Sequence, residues 1–64
     1  ELAIWSLQGE KIRTLFKDEL HPGYHIYKWN GKNNLGKNVA SGIYFCSLIW
    51  KENIIDTKKL IYID

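Results

Sequence analysis

Residues 23–44 read GYHIYKWNGKNNLGKNVASGIY, and this stretch decides the fold. A short apolar strand ends in Trp29. A loop follows through Asn30, Gly31, Asn33, Asn34 and Gly36, and the chain re-enters a strand at Ser41-Gly42-Ile43-Tyr44. Glycine adopts the positive φ that tight turns demand, and Asn builds turns and tolerates the same backbone region. A strand-end Trp, a Gly-punctuated loop and a Gly-aromatic restart point to a β-sandwich. They do not point to a reaction centre.

The flanking sequence alternates with the period of strands. In Leu2 to Leu7, Leu2, Ile4 and Ser6 share one face, and Ala3, Trp5 and Leu7 the other. Gln8-Gly9-Glu10 is a tight turn in which Gly9 can adopt positive φ, and Lys11 to Phe16 returns to complete a hairpin. Lys17 to Pro22 is a polar connection, and Pro22-Gly23 is turn punctuation. Tyr24 to Trp29 is a third strand. Asn30 to Ser41 is a long loop, pinned to the core by Val39. Gly42 to Trp50 is apolar on both faces and therefore central. Lys51-Glu52-Asn53 is a turn, and Ile54 to Ile63 is the fifth strand. No segment carries helical periodicity with caps. The expectation is an all-β sandwich of about five antiparallel strands over residues 1–64. Five strands are few for closing two sheets, so at least one more is expected upstream. Glu1 leads straight into a strand without an initiating Met, which reads as a fragment of a longer protein.

Composition narrows the function. Sixty-four residues make one small domain, with only about 60% of the unfolded surface buried. Nine Lys and Arg against seven Asp and Glu give +2, and the charges are interspersed. Lys58-Lys59 is the only cationic pair, so no basic stripe speaks for nucleic acid. Cys46 stands alone, which rules out an internal disulfide and reads as a small buried hydrophobe. No apolar run approaches the ~20 residues of a membrane span.

Four blocks resemble a known family. Ile4-Trp5-Ser6 with Gly9 and Ile12 is similar to an opening hairpin I-Y-D, Gly, Val. Gly23 with Trp29-Asn30-Gly31 is similar to G…W-D-G. Asn33, Gly36, Val39 and Ser41 to Phe45 are similar to D…G…V-x-S-G-V-Y-F. Thr57, Lys59 and Leu60 are similar to T-x-K-M. In this order they resemble the immunoglobulin-like module of the flagellar hook-capping protein, which recurs as the C-terminal sorting domain of type IX (Por) secretion substrates. Trp5 stands where the family has Tyr, Asn30 where it has Asp, and the family's Asn-Pro-rich entry and first strand are missing. The terminal Asp64 is not the basic residue of many sorting domains.

The resemblance implies a non-catalytic immunoglobulin-like sandwich that directs a secreted bacterial protein through the outer membrane to the surface or medium. Its partners would be the secretion machinery or another domain of the parent protein, with no cofactor, nucleic acid or membrane insertion. Gly9, Gly23, Trp29, Gly31, Gly36, Gly42 and Tyr44 are its structural positions. Thr57, Lys59 and Leu60 on the last strand are candidate contacts. Alternatives are a structural or carbohydrate-binding accessory module of a secreted glycoside-active enzyme, with Trp5 and Trp50 as exposed platforms for polysaccharide, and a hook-cap-type assembly domain.

Other residues read as structural. Trp29 is expected in the core. Tyr44-x-Cys46 is similar to the Tyr-x-Cys of immunoglobulin strands, whose hydroxyl bonds back to the backbone. The Asn loop lacks the carboxylates of a calcium site. His21 and His25 flank Pro22-Gly23, have no third ligand and are expected to face solvent. No nucleophile–base pair is visible. A module this small is expected to lack a cleft of ~300 Å³.

Overall fold

The computed structural model describes residues 1–18 and 27–64. They form an all-β fold of four strands: β1 (Leu2–Ser6), β2 (Lys11–Phe16), β3 (Gly42–Trp50) and β4 (Asn53–Tyr62). The strands make one antiparallel sheet in the order β2-β1-β3-β4. The second sheet of a sandwich is not formed among the described residues.

The third expected strand, Tyr24 to Trp29, is not found where it can be checked. Tyr27, Lys28 and Trp29 have no regular secondary structure, and Tyr24, His25 and Ile26 lie outside the described residues. His21, Pro22 and Gly23 lie outside them as well.

Both hairpins are set by local chemistry. In the first, Ser6 N–H donates to Glu10 O at 2.8 Å and Gly9 N–H to Ser6 O at 3.0 Å. Gly9 has φ +87. A turn followed by a left-handed glycine closes a three-residue loop. β1 therefore stops at Ser6, and Leu7, expected in the strand, belongs to the turn. The second hairpin is tighter. Trp50 pairs with Asn53, so the loop is Lys51-Glu52 alone, and both residues have positive φ, 49 and 67. Two-residue hairpin loops adopt this geometry because its twist matches the strands. Asn53 is thereby recruited into β4, and Ile63 falls beyond its end.

β3 is central, as its two apolar faces require. Its register with β1 places Ile4 opposite Cys46 and Leu2 opposite Leu48. Its register with β4 places Tyr44 opposite Leu60 and Gly42 opposite Tyr62. Alternation puts these side chains on one face, here termed the ring face. Ala3, Trp5, Phe45, Ser47, Thr57 and Lys59 occupy the other. Ile4 and Ala3 are fully buried, and Tyr44 nearly so. On the second face Ser47 is buried and its hydroxyl lies 3.2 Å from that of Thr57, which satisfies a group that would otherwise be costly.

Candidate functional site

Two features of the sheet bear on function: the aromatic cluster on the ring face and the contrast between the two sheet edges.

The cluster gathers residues from the deciding stretch. The Trp29 ring lies 5.1 Å from Tyr44, edge-on at 67°, and 5.3 Å from Tyr62. Such tilted pairs add about 0.5–1.5 kcal/mol beyond their buried area. Trp29 Nε1 donates to Lys32 O at 2.9 Å, and Asn30 Oδ1 accepts from Lys32 N–H at 3.2 Å. Trp29 is thus a half-buried packing residue, tied at its polar end. Gly31 is buried with φ +75, and a Cβ there would fall inside the Tyr62 ring. The Trp-Asn-Gly block is therefore a seat for Tyr62. Tyr44 Oη donates to Ala40 O at 2.6 Å, the bond back to an upstream carbonyl that tyrosine corners make.

The Asn loop is held by side-chain amides. Asn33 Oδ1 accepts from Leu35 N–H at 2.9 Å and Lys37 N–H at 3.0 Å. The positive φ values fall on Gly31 and Gly36, and none of the asparagines has one. Val39 is half-buried, and its N–H donates to Gly31 O at 2.9 Å.

This loop also closes one edge of the sheet. Asn34 N–H donates to Ile12 O at 3.0 Å, and Asn34 Oδ1 accepts from Thr14 N–H at 3.0 Å. A single residue supplies the donor and acceptor that a neighbouring strand would offer. Arg13 Nη1 adds a bond to Asn33 O at 3.0 Å. The opposite edge differs. β4 pairs only with β3 among the described residues, and Asn53 to Lys59 are all exposed. Ile54, Ile55 and Ile61 on this edge are 60–69% exposed. A long exposed apolar edge is a template for another strand.

The expected contact residues distribute over this edge. Thr57 and Lys59 lie on the face of Ala3 and Trp5, and Leu60 lies on the ring face. The three share no face; they share the edge. Gly42 opens β3, and Gly9 and Gly36 sit in turns. Trp5 and Trp50 are not brought together. Trp5 pairs with Phe45, which is five residues from Trp50 on β3. An odd separation puts them on opposite faces, roughly 17 Å apart. Trp50 is 49% exposed. Trp5 is half-buried beneath the Lys11 ammonium, 5.3 Å from its ring centroid, and its buried Nε1 has no partner among the described residues. Lys11 in turn lies 2.7 Å from Glu1 Oε2, and that ammonium holds the Glu1 carboxyl below its ordinary range.

The expectation that the module is too small for a cleft is corrected. The ring face opens on an apolar concavity of ≈ 490 Å³, between the Tyr27 and Trp29 rings and the floor of Ile4, Cys46 and Leu48. Among the described residues the rings of Tyr27 and Trp29 stand over the sheet without filling this space. Its ionisable lining includes Asp56, Lys58 and the Cys46 thiol. Burial pushes the thiol pKa up, and the Asp56 carboxylate adds to the effect. A protonated thiol is a poor nucleophile.

Compared with protein-family models, curated proteins and solved structures, the chain matches none.

Proposed function

We propose that this chain is a non-catalytic recognition module that docks by accepting a strand along β4. Its partner, on the resemblance to type IX sorting domains, is the secretion apparatus that carries the parent protein across the outer membrane to the cell surface or medium. The observation that carries the reading is the asymmetry of the sheet: Asn34 seals the β2 edge, while the outer edge of β4 has no strand partner among the described residues. Strand addition draws affinity from main-chain hydrogen bonds and specificity from alternate side chains. The β4 edge offers both, with Thr57, Lys59 and Leu60 among the side chains.

The immunoglobulin-like closure belongs to the same proposal. It is supported by the Tyr44–Ala40 bond and by the seat that Gly31 makes for Tyr62. The opposed placement of Trp5 and Trp50 speaks against a joint platform for polysaccharide, and the protonated Cys46 thiol speaks against nucleophilic chemistry in the concavity.

The test is export. The chain is fused behind a periplasm-directed fluorescent protein in a type IX-competent host. Fluorescence that reaches the surface or medium, and needs both the chain and a working secretion machine, is the expected result. A folded fusion retained in the periplasm would overturn the sorting role.

A further inference from the structure

We infer that β4 also pairs with β4 of a second copy of this chain, antiparallel and centred on Thr57, so that two sheets join into one.

Among the registers centred on the charged stretch Asp56 to Lys59, the edge is self-complementary in one. Two antiparallel copies related by a two-fold axis through the sheet keep equivalent faces on the same side, so the axis passes through a residue. An axis at Asp56 sets carboxylate against carboxylate. An axis at Lys58 or Lys59 sets ammonium against ammonium. An axis at Thr57 places Asp56 opposite Lys58 of the second copy, and Lys58 opposite the second copy's Asp56. Thr57 then meets its own equivalent, and Ile55 lies along the Lys59 stem. Opposite charges and Thr–Thr pairs across strands are favourable, and like charges directly opposite are not.

The charged groups this register pairs, Asp56 and Lys58, are exposed and have no ion pair among the described residues. Thr57 is exposed as well. Both lie on the ring face, opposite Leu48 and Cys46. The ladder is short. β4 bulges at Ile55, which has no partner on β3 because Leu48 pairs with Asp56 and Ile49 with Ile54. A bulge bends a strand and interrupts its ladder, so pairing centres on Ile55 to Lys59. A contact of this size belongs with weak, reversible interfaces. At the β2 edge Asn34 already fills the corresponding groups.

The inference uses the open edge and does not depend on the export role. The test is sedimentation equilibrium of the unmodified chain from about 10 µM to about 1 mM, with dissociation constants expected between roughly 1 µM and 1 mM. Asp56→Lys and Lys58→Asp are then measured singly and mixed. Each alone sets like charges together twice and weakens dimerisation by on the order of tenfold or more. The equimolar mixture restores both attractions and recovers the dimer as a heterodimer. A chain that stays monomeric throughout overturns the inference. So do single variants that dimerise like the parent, or a mixture that fails to recover. A monomeric chain that still exports the reporter sinks self-pairing alone; a dimer that is not exported sinks the sorting role alone.

Discussion

Gly31→Ala strikes the point where the sequence and the fold are most tightly joined. Two costs arise. Left-handed backbone at φ +75 costs a residue with a Cβ about 1–2 kcal/mol. The new methyl also falls inside the Tyr62 ring, whose neighbour is Trp29, and overpacking costs about 1–3 kcal/mol. Together they amount to about 2–5 kcal/mol. A 64-residue domain holds only about 3–10 kcal/mol in total, so the variant loses a large share of its stability. Urea unfolding followed by tryptophan fluorescence reads this as a fall in midpoint of about 1–3 M. Tyr62→Ala separates the two costs. In the double variant the overlap is gone while the backbone cost remains, so the substitutions couple by about 1–3 kcal/mol. A Gly31→Ala stability within about 0.5 kcal/mol of the parent, or strict additivity in the double variant, would refute the seat that Gly31 makes for Tyr62.

Three further outcomes follow from the same geometry. Replacing Lys51-Glu52 by Asn-Gly puts residues that tolerate left-handed backbone at both positive-φ positions and stabilises the domain by about 1 kcal/mol after the added unfolded-state freedom of glycine; a lower urea midpoint would contradict the two-residue loop. Asn34→Ala deprives Thr14 N–H of its acceptor, costs about 1 kcal/mol and makes the Thr14 amide exchange rapidly with solvent; continued protection there would mean that Asn34 does not seal the edge. Cys46 is protonated to higher pH in the folded chain than in the unfolded one. Its contribution is therefore complete below the unfolded thiol pKa and is lost as pH rises through the folded value. Stability relative to Cys46→Ala should decline over that alkaline window, and alkylation should be slower folded than unfolded; equal alkylation rates would count against burial of the thiol.

The strands that alternate were legible because alternation is local. Leu2 to Ser6, Lys11 to Phe16 and the apolar Gly42 to Trp50 each show their faces in a few residues. Tyr44 was legible as a strand-start tyrosine for the same reason, since its acceptor Ala40 lies within the adjoining loop. Strand ends were less legible. Leu7 continues the alternation but is claimed by the Gly9 turn, and Asn53 looks like turn chemistry but pairs with Trp50. The strand expected at Tyr24 to Trp29 rests on alternation, yet over Tyr27 to Trp29 no strand forms, and Trp29 spends its ring on Tyr44 and Tyr62 and its N–H on Lys32. The features that matter most for function were hidden, because they join residues far apart in sequence. Nothing local marks Asn34 as the residue that closes the β2 edge, or Tyr62 as the ring that requires Gly31. The complementarity of Asp56 to Lys58 of a second copy becomes visible only once β4 is known to be an edge.

The most direct test of the account is residue-resolved amide hydrogen exchange on the dilute chain and again at high concentration. The account predicts that Thr14 is protected in both, held by Asn34. It predicts that alternate amides of β4, those turned away from β3, exchange fast when dilute and slow down around Thr57 when concentrated. Uniform protection along β4 in the dilute chain would mean that the edge is already covered, and would contradict docking there.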